Sequence, residues 1–304
     1  MSATLLAVAL SLVSAVAYAA AAVAQERLAA RTAGAGAGLW RLLGTGAWWW
    51  SVGLNASAAL LHVAALKYGP LTLVQPLGAL TLVAAVPLGA RIAGRRVSSG
   101  EWRGTALTLA GLGAILVTAS GPAPDDTLAL PEALGVAGAT AALIGVLSRR
   151  GAKPGLRHAT ASGVASGVAS ALTQTVTVAA TDRSGPLLSV QVIVVALLVA
   201  AFAAGGLLLS QTAYRGGLGA PLAMVTLSNP LAAAVIGVSL LGERLQGGVA
   251  GLVLAAGGAA LAGRGVLLLT RTTSAPPSAS PADVVPLPAI PTQPDPEPLA
   301  LRAS

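Results

Sequence analysis

A helix needs about 20 consecutive, mostly apolar residues to cross the hydrocarbon core of a bilayer. This chain of 304 residues holds nine such runs, near 3–25, 46–67, 70–90, 105–121, 131–148, 159–181, 188–214, 219–241 and 248–270. Several are interrupted by Gly or Pro, which bilayer helices tolerate because neighbouring groups re-satisfy the freed backbone. The fourth and fifth runs are short, and Pro122, Pro124, Asp125, Asp126 and Pro131 divide them into two. Only 9% of the residues are charged, against roughly 25% in soluble globular domains, so a water-covered surface is out of reach and the expected solvent is lipid. The fold class that follows is an all-α integral membrane protein of about nine transmembrane helices. The net charge of +8 does not point to nucleic acid, because the basic residues fall in short clusters and aromatic residues make up 3%, leaving no basic stripe and no stacking platform. Cysteine is absent, which excludes disulfides, thiolate metal sites and cysteine nucleophiles.

The placement of Lys and Arg predicts orientation. Odd-numbered loops hold Arg27, Arg31, Arg41, Arg91, Arg95, Arg96, Arg103, Arg149, Arg150, Lys153, Arg157 and Arg215; even-numbered loops hold Lys67, Arg183 and Arg244. Twelve against three places the odd loops and the C-terminus in the cytoplasm and the N-terminus outside the cell membrane. Trp48, Trp49 and Trp50, with Trp40 nearby, read as an aromatic belt that anchors the second helix. Ala17-Tyr18-Ala19 imitates a signal-peptidase site, but no Lys or Arg precedes the apolar run, and cleavage would export Arg27, Arg31 and Arg41 against the charge bias. From about Thr272 the chain turns rich in Pro, Ser and Ala, a disordered tail of extended character over 272–304; its Pro-x-x-Pro spacings, such as Pro288 to Pro291, are read as part of a solvated tail.

Two segments of the chain are alike. ALKYGPL (Ala65 to Leu71) leads into an apolar helix, then Gly94-Arg95-Arg96, then LTLAGLGA (Leu107 to Ala114). AYRGGLG (Ala213 to Gly219) leads into an apolar helix, then Gly242-Glu243-Arg244, then LVLAAGGA (Leu252 to Ala259). Aligning Gly94 with Gly242 sets Lys67 opposite Arg215 and Gly69 opposite Gly217 without a gap. An odd number of helices separates the related segments, so they face opposite sides of the membrane. That is an inverted-topology repeat, the architecture in which two half-bundles rock about a midplane site, with 1–121 and 131–271 as the halves. The reading it supports is transport.

On these motifs the chain resembles the drug/metabolite transporter (DMT) superfamily, whose EamA-type repeats carry a helix, a short Gly-Glu-Arg turn and a Gly-rich closing helix, as Gly242-Glu243-Arg244 and Gly257-Gly258 do here. Within it, YGPLTLVQPLGALTLV (Tyr68 to Val83) is most similar to the NIPA-like magnesium transporter branch, which implies about nine helices and an external N-terminus. Arg95 stands where the usual turn has Glu, which puts in question any ion pair made by that Glu in the first half.

Polar side chains inside the spans mark the candidate pathway, since each is costly in lipid without a partner or cavity. Asn55 and His62 lie seven residues apart on one face of the second helix. Gln75 precedes Pro76, whose ring removes a backbone donor. Ser170, Gln174 and Thr177 share a face of the sixth helix, Ser228 and Asn229 precede Pro230 at the centre of the eighth, Gln211 lies towards the end of the seventh and Tyr18 in the first. An interhelical hydrogen bond, commonly worth about 1 kcal/mol or less, is the plainer role for each. Ser162, Ser166, Ser170, Gly163 and Gly167 have the small-xxx-small spacing of close helix packing. His62 titrates in the physiological range when unperturbed but has no carboxylate beside it in sequence.

All ten acidic residues fall at helix ends, in loops or in the tail. A Mg²⁺ site usually offers one or two carboxylates, which disfavours the NIPA-like substrate; Glu26 is the one acid that could fold inward. No G-x-S-x-G elbow, H-E-x-x-H helix or P-loop is present, so neither an enzyme, a cofactor nor a resident metal is expected. The resulting expectation is a multi-pass secondary transporter of a small polar or zwitterionic metabolite, its pocket lined by Asn55, His62, Gln75, Gln174 and Asn229. A divalent-cation (Mg²⁺) transporter is the first alternative and a non-transporting scaffold working through its tail the second; the odd helix count leaves a homodimer open.

Overall fold

Gly94 ends a helix in the left-handed region, at φ +70°, a conformation Gly adopts without a Cβ penalty. The amide of Arg95 then reaches back to the carbonyl of Ala90 at 3.0 Å and that of Gly94 to Arg91 at 3.1 Å, the paired closure that stops a helix and turns the chain. Four residues on, the next helix opens with a reciprocal cap: Ser98 N donates to Glu101 Oε2 at 2.8 Å and Glu101 N to Ser98 Oγ at 3.1 Å, satisfying two otherwise orphaned donors. Such local signals divide the apolar sequence into helices.

The computed structural model describes residues 3–32, 39–68, 74, 77–119, 128–149, 151, 153–181, 189–240 and 247–273. The chain divides into two units, 1–273 and 274–304, and every described residue lies in the first. The Pro-rich tail, Gly242-Glu243-Arg244, Gly69 to Leu73, Gln75 and Pro76 are outside the described residues.

In chain order the helices are α1 (Ala3–Thr32), the single turn α2 (Leu39–Leu43), α3 (Gly46–Tyr68), α4 (Thr81–Ile92), α5 (Ser99–Ala119), α6 (Leu130–Leu147), α7 (Leu156–Thr181), α8 (Val190–Ala213), α9 (Gly219–Leu240) and α10 (Gly248–Thr273). No strand occurs among the described residues. Each of the nine apolar runs overlaps one of the longer helices, and among the described residues five of these are long and apolar enough to cross a membrane: α1, α6, α8 with the turn that follows it, α9 and α10. The protein is thus an all-helical chain whose apolar helices suit a membrane. Of the rest, α7 has 26 residues but is rich in Ala, Ser, Gly and Thr; most of its residues from His158 to Leu172 are buried, so protein rather than lipid is its main surrounding.

Helix boundaries differ from the sequence reading at the start of α5, which opens at Ser99 rather than at 105, and at the end of α1. The first helix continues seven residues past 25, through Glu26 and Arg27, because nothing in QERLAART stops it and Arg31 suits the negative end of the helix dipole. The start of the third run, 70–76, lies outside the described residues apart from Val74; from there a helical turn over Leu77–Leu80 leads into Thr81–Ile92, which keeps Pro87 inside it.

α1 packs along α3 and α4, α7 along α8 and α9, and α5 along α10. Val23 of α1 lies near Gly89 of α4, and Arg27 donates to the Ile92 carbonyl at 3.1 Å; residue numbers rise together, so α1 and α4 are parallel. Gly163 of α7 faces Val225 and Ser228 of α9, and Gly167 faces Asn229 and Ala232, so that pair is parallel too. Gly104 and Gly111 of α5 face Gly265 and Gly258 of α10. Here numbers rise on one helix and fall on the other, an antiparallel seam in which small residues let backbones approach.

Contacts gather the odd loops at one end. Arg27 is tied to the end of α4, Gly100 touches Thr272 beyond the basic turn of α10, Gly89 meets Leu218, and Gly216 lies on Gly155. This basic end carries Arg27, Arg91, Arg95, Arg157 and Arg215. At the opposite end Leu128 N bonds Thr175 Oγ1 at 3.3 Å and Gln191 Nε2 donates to the Leu128 carbonyl at 3.3 Å.

Candidate functional site

α3 presents Asn55 and His62 on the same side, both half-buried. Asn55 Nδ2 donates to the Ser51 carbonyl one turn back, at 3.0 Å, leaving its oxygen free of that bond. The His62 ring lies over Gly78: a Cβ there would meet Cε1 at 3.5 Å and Nδ1 at 3.8 Å. Gly78 belongs to the QPLGAL segment, and these are ordinary van der Waals distances, so the segment packs directly beneath the imidazole.

Asn229 is half-buried on α9. Its backbone, rather than its side chain, makes the crossing with α7, where Gly163 and Gly167 admit the Ser228 Cβ and the Asn229 main chain. The small-xxx-small face therefore works in packing, as its spacing predicts. Pro230 stays within the helix and deprives Thr226 of a main-chain donor. Gln174 lies in α7, with its side chain outside the described atoms. Gln75 is not described at all. Among the described residues no hydrogen bond joins Asn55, His62 and Asn229 to one another.

A polar cluster of which the sequence reading names only Gln211 is at the meeting of α1 and α8. Gln25 is 2% exposed and Gln211 4%. Ser210 Oγ lies 3.2 Å from Gln25 Oε1 and 2.8 Å from the Leu207 carbonyl, which share its single proton, and Gln211 Nε2 donates to the Gln25 carbonyl at 3.0 Å. Gln25 was read as the last residue of its span; the continuation of α1 past it is the signal that would have placed it inside. Tyr214, at the end of α8, is buried beside it in a cluster with Leu82, Val86 and Leu222.

Arg95 forms an ion pair with Glu101, six residues on. Its guanidinium grips Glu101 with both nitrogens, at 2.9 and 2.8 Å. Burial alone raises the Glu101 carboxyl, but the hydrogen bonds from Arg95 and the Ser98 amide outweigh it and hold the group below its ordinary value. Arg95 is raised in turn, first through its hydrogen bond to Glu101. Glu26 lies beside Arg27 and within reach of the Arg95 charge. No three His, Asp or Glu side chains come together to hold a metal among the described residues.

The tryptophans divide. Trp49 and Trp50 are 58% and 68% exposed, whereas Trp48 is 3% exposed. Three successive helical residues turn through about 200°, so a belt cannot hold all of them.

The class these observations define is an all-helical protein with membrane-compatible helices and a buried polar junction near one end. The chain matches no protein-family model, no curated protein and no solved structure.

Proposed function

We propose that the chain is a multi-pass membrane transporter of two inverted halves that carries a small polar or zwitterionic metabolite by alternating access. The observation that carries this reading is the recurrence of one packing order. α1 lies on α3 and runs parallel to α4, α7 lies on α8 and runs parallel to α9, and the closing helices α5 and α10 cross antiparallel. If all nine longer helices cross the bilayer in turn, the first and third run the same way, as do the sixth and eighth, while the fourth and ninth run oppositely. The pairs agree with that threading, and an inverted repeat is built this way. The gathering of the odd loops at one end supports a cytoplasmic basic end and a cell-membrane location. Asn55, His62, Gln75, Gln174 and Asn229 are the side chains assigned to the pathway, and the DMT superfamily is the kinship the motifs support.

A divalent cation is the weaker cargo. Glu26, the carboxylate proposed for it, has the positive charges of Arg27 and Arg95 nearby, and like charge there disfavours a cation. Flux by the reconstituted protein separates the readings. Deleting 272–304 leaves metabolite flux intact for a transporter and abolishes function for a scaffold. Glu26→Gln leaves metabolite flux largely intact, whereas its loss together with saturable Mg²⁺ influx in the parent would overturn the metabolite reading.

A further inference from the structure

Arg264 is a charge inside an apolar helix. It belongs to α10, one of the five helices long and apolar enough to cross a membrane. That helix has 26 residues, about 39 Å at 1.5 Å per residue, against about 30 Å of hydrocarbon. Arg264 stands nine residues before its last, about 14 Å from the basic end, so it lies within the hydrocarbon even if all the excess length projects there.

The helix turns about 100° per residue, which fixes the side Arg264 takes. Gly258, Ala262, Gly265 and Leu269 face α5, and Ala259 packs with Ile115 and Leu227. Arg264 falls on the opposite side with Val253 and Leu267, which are 66% and 58% exposed. Apolar side chains so exposed on a spanning helix make a lipid face. Arg271, seven residues on, shares it, and both arginines are exposed. α5 adds a third. Its Gly104 sits against Gly265 and Leu269, which sets Arg103 between Arg264 and Arg271 in height. Arg103 is exposed and lies about 100° round α5 from Gly104, while Leu112 and Leu116, which pack with Ala79 beside α4, lie round the other way. Arg103 therefore points out of the bundle on the same side of the α5–α10 pair as Arg264, above Val117, which is 65% exposed.

No carboxylate among the described residues belongs to this face. Glu101 is held by Arg95, Glu26 has Arg27 and Arg95 as its charged neighbours, and Glu132 accepts from the Ala129 amide at 2.9 Å where α6 opens. A charge set towards lipid is costly without a partner, and the partner that a bilayer itself supplies is phosphate.

We propose that Arg103, Arg264 and Arg271 bind the headgroup phosphate of an anionic phospholipid from the leaflet at the basic end, with its acyl chains along Leu267, Val253 and Val117. This rests on the membrane part of the reading above and holds whatever the cargo. Guanidinium groups pair with phosphate through two parallel hydrogen bonds, and their apolar stems lie along the helix surface while the charged heads gather. A free phosphate would use the arginines but not the apolar stripe beneath them. A second copy packing α10 on α10 about a twofold axis would bring Arg264 towards its own mate, like charge against like.

Native mass spectrometry of the full-length protein purified in detergent, titrated with phosphatidylglycerol and separately with phosphatidylcholine, tests the site. One phosphatidylglycerol is expected to be retained at least tenfold more tightly than phosphatidylcholine. Arg103→Gln with Arg264→Gln is expected to abolish that preference, whereas Arg96→Gln with Arg157→Gln, which removes the same charge from the same end, leaves it unchanged. All four side chains are exposed, so unfolding in lipid-free detergent should match the parent for both double variants. Arg264→Lys, which keeps the charge and loses the fork, is expected to weaken retention at least threefold and serves if the first double variant does not fold. Equal retention of the two lipids, or equal loss in both double variants, overturns the site. So does displacement of the lipid by inorganic phosphate, or a dimer that phosphatidylglycerol leaves intact and Arg264→Gln dissociates, which would give the face to a second copy. Release of the parent chain from membranes by alkaline carbonate would instead remove the membrane reading, so the two failures are told apart.

Discussion

Single atoms decide how closely the helices of this protein approach. A Cβ on Gly111 would press on the Gly258 carbonyl and on Ala262, while the same atom on Gly113, two residues away on α5, meets nothing within 4 Å. Gly111→Val is therefore expected to destabilise the purified protein by about 1–3 kcal/mol through overpacking, whereas Gly113→Val stays near neutral. Thermal unfolding in detergent reads both, and equal losses would contradict the seam. The alternation of Gly and Leu in LTLAGLGA gives no hint of which glycine faces α10; that depends on how the helix is turned about its axis. The same holds for Trp48, which the run of three tryptophans cannot distinguish from its neighbours until one knows which face meets the bundle.

Helix ends account for much of what the sequence reveals and of what it conceals. Gly94 and the Ser98–Glu101 cap are local, so the turn between α4 and α5 is legible from a few residues. The pairing of Arg95 with Glu101 is legible only in part, since it replaces a Glu at one position by a partner six residues on. Because the Glu101 carboxyl titrates lower in the folded protein than in the unfolded chain, its stabilising effect is fully present above the ordinary carboxylate value of about 4.3 and is lost as pH falls through the depressed value. Glu101→Gln is expected to cost about 0.5–1 kcal/mol near neutral pH, and its deficit should shrink steadily as unfolding is repeated from pH 5 down to pH 3. A deficit independent of pH would mean that the carboxylate charge plays no part. Apolar runs overlap the nine longer helices among the described residues but missed the continuation of α1 past Gln25 through Glu26 and Arg27 and the start of α5 at Ser99, because hydropathy registers where lipid ends and not where the helix does. That omission hid Gln25, and with it the junction to Ser210 and Gln211, whose partners are about 185 residues away in sequence.

At the scale of the whole molecule, orientation and repeat architecture are arguments about the same threading. Introduced one at a time into the cysteine-free chain, thiols at Arg31 and Gly151 are expected to be shielded from an impermeant maleimide in intact cells, while one at Tyr68 or Ser189 reacts; the reverse pattern would invert the bundle, and a mixed pattern would break the nine-span threading. At this scale the sequence offers expectations, from charge asymmetry and from the likeness of the Gly94 and Gly242 segments, which the labelling pattern tests. It did not reach the way the candidate polar residues sit relative to each other, which depends on interhelical geometry. The most direct test of the central claim is solute flux by the purified full-length protein in proteoliposomes, following efflux of a mixed labelled amino-acid and metabolite pool beside Mg²⁺ influx with an internal dye. The account predicts saturable loss of one metabolite class, abolished by Asn229→Leu, with Mg²⁺ influx no greater than in empty vesicles. Saturable Mg²⁺ influx, or no flux of any solute by correctly folded protein, would contradict it.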